Sequence, residues 1–260
     1  VTDYAPVHRI YFHRAADLCL VSMPAARDDA IASGLMPEKV VVTGIPVHPN
    51  LANENRAPAV VRAGLGWPPE LRSALVVGGK RVKNLGGILR ALNHSGLPLQ
   101  LTIVAGGDDA QYREFLAADW HLPVRVLNFV ENMPELMHAS DFIVCKAGGL
   151  IVTEGLACGL PILLTDYIEG QETGNVRYVV EGGAGELVCN PLDALEAVSH
   201  WLAEGGEMLA RRSRNARSLG YPRAAYDVAA LAWDAALRGP QPRPMITLPD
   251  RLGKMVKRKQ

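Results

Sequence analysis

Lys146-Ala147-Gly148-Gly149 with Glu154, then Asp166 with Gly170-Gln171-Glu172 and Asn175, bring a cation, bare backbone and hydroxyl-binding side chains into one short stretch. Glu154 is expected about a turn and a half into a helix starting near Gly149, at roughly 1.5 Å rise per residue. A carboxylate there can accept two hydroxyl hydrogen bonds from a ribose, or it can pair with a neighbouring cation. Gly148 and Gly149 permit close backbone approach, and free amides at a helix N-terminus suit a diphosphate. Lys146 adds a point charge beside them. Gln171 and Asn175 stand at i and i+4, so both amides are expected on one helix face, aimed at one spot. Amides donate and accept, as sugar hydroxyls require. Asp166 can bind a further hydroxyl or cap a helix.

Two other stretches bear on the same chemistry. Gly78-Gly79-Lys80-Arg81-Val82-Lys83 follows an apolar strand and precedes a helix, a turn that can wrap a phosphate with backbone amides and cations. Asn128-Phe129-Val130 ends another strand, where main-chain groups can read a base edge. No G-x-G-x-x-G follows the strand at residue 77, which counts against a dehydrogenase, and there is no Asp-x-Asp.

The elements that must carry these residues show in the periodicity. Strands are predicted at 18–22, 40–43, 74–77, 99–105, 124–127, 142–145, 161–164 and 186–188. Helices are predicted at 25–33, 59–65, 84–95, 110–118, 133–139, 150–158, 171–181, 192–204, 207–219 and 224–237. Alternation of nearly continuous apolar strands with amphipathic helices predicts an α/β fold, a parallel sheet covered on both faces. In such sheets ligands bind beyond the carboxyl ends of the strands. Pro46 and Pro49 break the chain between two units. Six strands follow, enough for one complete Rossmann-like domain. The residues before the break cannot close a core alone and, with Val1 at the start, are expected to be the end of a preceding domain. The domains are therefore drawn at 1–46, 47–220, a helix at 221–239 and a basic, disordered tail at 240–260. Arg211, Arg212, Arg214 and Arg217 read as a solvated helix face.

With 27 basic and 27 acidic residues and a pI of about 7.2, the whole chain has no field that would draw a nucleic acid. Cys19, Cys145, Cys158 and Cys189 are scattered without C-x-x-C spacing, which fits a reducing compartment; Cys19 and Cys145, in apolar runs, read as small buried hydrophobes rather than metal ligands or disulfide partners. No apolar run approaches the roughly 20 residues needed to span a bilayer. The tail could rest on an anionic membrane surface.

The ordered run Lys146-Ala147-Gly148-Gly149, Thr153-Glu154-Gly155-Leu156, Gly159-Leu160-Pro161-Ile162, Asp166-Tyr167-Ile168, Gly170-Gln171-Glu172 and Gly174-Asn175-Val176 resembles the monogalactosyldiacylglycerol synthases. It is also similar to the processive diacylglycerol glucosyltransferases and, more distantly, to MurG-type enzymes of glycosyltransferase family 28. Val1-Thr2-Asp3 with His8, Tyr11-Phe12-His13 and Asp17 is similar to the family's acceptor-side segment, and Val42-Thr43-Gly44-Ile45-Pro46-Val47 resembles its interdomain crossing. The resemblance thus extends over most of residues 1–237 and implies that 1–46 end an acceptor-side domain and that the helix at 221–239 returns to it. It implies a GT-B fold: a complete C-terminal donor domain and the C-terminal remnant of an N-terminal domain. It implies an inverting enzyme that moves a hexose from a UDP-sugar to a lipid such as diacylglycerol, with no cofactor and no metal. Residue by residue, it implies Glu154 on the ribose, and Phe129 and Val130 framing the uracil. Gly78, Gly79, Lys80, Lys146, Gly148 and Gly149 fall around the diphosphate. Asp166, Gln171, Glu172 and Asn175 fall on the sugar. Lys80-Arg81-Val82-Lys83 departs from the small residues that the family has there. The base is expected upstream of Val1, not at His8 or His13. A cytoplasmic protein, peripheral on the inner face of a membrane, would fit. Other readings of the same residues are a UDP-sugar-binding half or degenerate member that needs a partner chain, and a UDP-sugar epimerase.

Overall fold

A computed structural model describes residues 1–82 and 84–239. Eight strands appear: β1 Cys19–Val21, β2 Val40–Val42, β3 Arg72–Val77, β4 Leu99–Val104, β5 Val124–Leu127, β6 Phe142–Cys145, β7 Ile162–Leu164 and β8 Gly185–Leu187. The α-helices are α1 Pro24–Ala32, α2 Pro49–Asn53, α3 Pro58–Leu65, α4 Leu85–Asn93, α5 Asp109–Ala117, α6 Met133–Ala139, α7 Gly149–Ala157, α8 Thr173–Glu181, α9 Pro191–Leu202, α10 Glu207–Leu219 and α11 Ala224–Arg238. Each predicted strand is present to within a residue or two.

The large sheet runs β5-β4-β3-β6-β7-β8, every pairing parallel. The order reverses between β3 and β6, so the loops after these two strands part to opposite sides and leave a crevice at their carboxyl ends. Those loops are the Gly78-Gly79 and Lys146–Gly149 stretches. All residues of β4 and β6 are buried, as expected of strands covered on both faces. One face packs Ile143, Val152, Leu156 and Val179; the other packs Leu89, Phe142, Val198 and Trp201. The Phe142 ring meets Trp201 edge-on, with centroids 5.7 Å apart. Arg212 departs from the solvated face read for its helix. Its guanidinium is half-buried, lies over the Trp201 ring and hydrogen-bonds Glu186.

β1 and β2 form a separate two-stranded parallel sheet, closed by α1 over Val21, Ala26, Ala30 and Leu35. The chain crosses to the large sheet at residues 43–48. A Cβ on Gly44, whose φ is +80°, would stand 2.3 Å from the Cβ of Tyr221, so the turn between α10 and α11 lies against this crossing. Here the sequence reading needs a correction. Pro49 does not merely interrupt the chain but opens α2 at its first position, where a missing N–H costs nothing, with the His48 side chain capping Asn50 N at 3.2 Å. The helix expected at 221–239 is α11. Tyr226, Trp233 and Leu237 are exposed on it and only Ala224 is buried. The tail at 240–260 and Lys83 lie outside the described residues.

Trp201 fills the centre of one face, so Trp201→Ala should lower stability by about 3–5 kcal/mol. Urea unfolding should show this as a lower midpoint with an unchanged slope.

Candidate functional site

At the carboxyl edge of the sheet, two neighbouring helix N-termini are left without an exposed side-chain cap. The helices α5 and α9 are capped conventionally: Asp108 accepts from Ala110 N and Gln111 N, and Asn190 from Leu192 N and Asp193 N. By contrast, α7 opens at Gly148, which has no side chain to offer, so its first amides lack intrahelical partners. The next helix, α8, opens at Glu172, whose carboxylate is engaged elsewhere.

That engagement organises the edge. Lys146 Nζ lies 2.5 Å from Glu172 Oε1, with the side chains only 11% and 9% exposed. The other oxygen of Glu172 accepts from Ile168 N at 2.6 Å. Ala147 N donates to the Asp166 carbonyl at 2.8 Å, and Asn175 Nδ2 donates to the Ala147 carbonyl at 2.8 Å. Three cross-links therefore tie the loop after β6 to the segment after β7.

Several expectations change as a result. Lys146 and Glu172 pair with each other, so neither stands as a free charge, and each Glu172 oxygen already accepts one hydrogen bond. Gln171 and Asn175 do not share a helix face. The helix α8 begins at Thr173, whose Oγ1 accepts from Gly170 N at 3.0 Å, so Gln171 lies outside it and is exposed. Asn175 is inside and 1% exposed, with its Oδ1 buried and unpartnered. Asp166 caps no helix: its Oδ1 accepts from the adjacent Tyr167 N at 2.8 Å. Gly78 N and Gly79 N are already bonded, to the Val104 carbonyl at 2.8 Å and to Gln111 Oε1 at 3.1 Å, so these amides form no open cradle. Gly148 N is likewise spent on the Lys146 carbonyl, while Gly149 begins the helix. Lys80 is exposed. The Phe129 side chain is 73% exposed, and Val130 packs against the core.

Glu154 has the environment of a binding residue. It is half-buried in α7, and among the described residues no cation or hydrogen-bond donor meets its carboxylate. Burial pushes its pKa above the ordinary glutamate value. The neighbouring Thr153 bonds the Gly149 carbonyl at 2.6 Å and the Tyr4 hydroxyl at 2.9 Å. Tyr4 escaped the sequence reading; its pKa is pushed up to about 12 by burial, which keeps the hydroxyl protonated. An aromatic far away in sequence gives no spacing signal.

The folded state holds the Glu154 proton more tightly than the unfolded chain, so its ionisation costs stability as pH rises through the unfolded and then the folded pKa. Glu154→Gln should therefore leave the melting temperature unchanged below the carboxylate range and raise it above that range. A pH series of thermal melts checks the sign. Breaking the buried pair by Glu172→Ala should cost about 3–5 kcal/mol, and Lys146→Met in the same chain should restore much of it. A double-mutant cycle in urea reads the coupling.

Residues 1–47 match the family described as monogalactosyldiacylglycerol (MGDG) synthase, and residues 62–219 match the glycosyl transferases group 1. The chloroplastic monogalactosyldiacylglycerol synthase 3 of Arabidopsis thaliana is 32% identical over 240 residues, covering 88% of this chain and 51% of the relative. The chain thus spans about half the length of the curated relatives it matches. Among solved structures, Acinetobacter baumannii MurG aligns with a TM-score of 0.60 at 19% identity, over 84% of this chain and 74% of that one. A putative UDP-N-acetylglucosamine 2-epimerase from Listeria monocytogenes aligns at 0.64 and 18%, over 89% and 63%. At such identities these two likenesses are of fold alone. No described helix is long and apolar enough to cross a membrane. The sequence matches and the parallel six-stranded sheet agree: the chain belongs to the MGDG synthase family of group 1 GT-B glycosyltransferases, to which MurG is related in fold.

Proposed function

We propose that this chain is the UDP-sugar-binding part of an inverting hexosyltransferase that glycosylates a lipid hydroxyl such as that of diacylglycerol. The observation that carries the reading is Glu154, a half-buried carboxylate without a donor, set in a helix whose first amides have no side-chain cap. Its two oxygens suit the vicinal hydroxyls of a ribose. The first amides of α7 suit the diphosphate, and the dipole of the helix favours its charge. Val130 and the Phe129 backbone, at the end of β5, supply main-chain groups for uracil. Asn175 faces the sugar, with Gln171 close by in the chain.

During transfer, the acceptor hydroxyl attacks the anomeric carbon from the side opposite UDP, which inverts the configuration. The α7 amides stabilise the charge that builds on the departing diphosphate. Deprotonation of the acceptor needs a base, a role that none of the donor-side residues named above is given. Family membership favours transfer over epimerisation; the likeness to an epimerase is one of fold.

Calorimetry should show UDP binding to this chain, weakened at least about tenfold by Glu154→Ala. Absence of UDP binding would sink the donor-site reading. The protein in its natural full-length form, given UDP-galactose or UDP-glucose with diacylglycerol, should form glycolipid.

A further inference from the structure

Residues 2–5 lie across the N-terminal ends of α7 and α8. Tyr4 is buried and stacks on Tyr178, with ring centroids 4.3 Å apart and planes 20° apart. Its hydroxyl reaches Thr153 of α7 at 2.9 Å. Ser22 Oγ donates to the Asp3 carbonyl at 2.6 Å. On α8, a Cβ at Gly174 would stand 2.5 Å from the Tyr4 carbonyl oxygen and 2.7 Å from that of Ala5. The backbone on both sides of Asp3 is therefore fixed. Its carboxylate is not: among the described residues no hydrogen bond or ion pair holds it.

Three polar atoms converge on the first residue of α7. The position a Cβ would take on Gly149 is 3.3 Å from the Thr2 carbonyl oxygen, 3.8 Å from Asn175 Nδ2 and 4.0 Å from Asp3 Oδ1. Asn175 is nearly fully buried. Because its Nδ2 is committed to the Ala147 carbonyl, its amide cannot be flipped, and the unpartnered atom is the oxygen. An orphaned buried acceptor calls for a donor. A diphosphate brings only acceptors, whereas a hydroxyl brings both a donor and an acceptor. The Asp3 carboxylate also repels a phosphate from this spot. The arrangement thus sorts the helix end: phosphates at the amides, hydroxyls beside Asp3.

We infer that Asp3 binds a hydroxyl of the donor hexose and so completes the sugar subsite from the other sheet; this rests on the UDP-sugar reading above. Residues 2–5 belong to the part of the chain that precedes the crossing, so the sugar is held from both sides of the crevice. Tyr4 and Ser22 position Asp3.

Calorimetry with UDP, UDP-galactose and UDP-glucose on wild type, Asp3→Ala, Asp3→Leu and Asp3→Asn tests this. In Asp3→Ala the preference for one or both UDP-hexoses over UDP should fall about tenfold, while the Kd for UDP itself stays within about twofold. Glu154→Ala should instead weaken UDP and UDP-hexoses together. Asp3→Leu, which keeps the bulk and can make no hydrogen bond, gives the same reading should Asp3→Ala melt early. Asp3→Asn, an amide that can still meet a hydroxyl, should restore part of the preference. Equal affinity of wild type for UDP and both UDP-hexoses, or an equal or absent effect of Asp3→Ala on UDP and UDP-hexose, overturns the inference and leaves the donor site standing. A wild-type chain that binds no UDP removes both.

Discussion

Lys146 and Glu172 bury opposite charges between two loops that no strand ladder joins, since the pairing of β6 with β7 ends at Cys145 and Leu164. Each charge would be costly to bury alone, and the pair repays this only because Ile168 N satisfies the second carboxylate oxygen. The ends of α7 and α8 are therefore held in fixed relation before any ligand arrives. Asn175 and the Asp166 carbonyl add two neutral hydrogen bonds to the same junction. This cation and anion thus serve geometry rather than charge.

What the pair leaves open is as important as what it fills. With Lys146 neutralised, the uncapped amides of α7 are what this edge offers an anion, fixed dipoles that need no reorganisation. Glu154 stays unpaired and half-buried, at a cost to the folded state expressed in its raised pKa. Such a cost is usual where a side chain is reserved for a ligand. The reversal of strand order between β3 and β6 places the crevice, and the uncapped helix ends give it polarity.

Much of this was legible in the sequence. Apolar runs located every strand because parallel strands buried on both faces carry little else. Glu154 was legible because its distance from Gly148-Gly149 is local, within one helix. The errors share a cause. Lys146 and Glu172 find each other across a strand and a helix, a distance that no periodicity encodes. Gln171 looked helical by spacing, but Thr173 turns the chain onto its own hydroxyl and delays the helix by two residues. Gly78 and Gly79 looked free, whereas Gln111, on a distant helix, takes the Gly79 amide and Val104 takes that of Gly78. Asp3 stood in a stretch that resembles the family, but neither it nor Tyr4 showed any link to α7; only folding brings residues 2–5 over that helix.

The contact between Gly44 and Tyr221 has a mechanical meaning. Held there alone, the small sheet could pivot against the large one. A second attachment removes that freedom: at the other end of the small unit Tyr4 stacks on Tyr178 and its hydroxyl reaches Thr153. Two separated points of contact work as a hinge with its pin locked, so the first residues of the chain keep their place over α7 and α8.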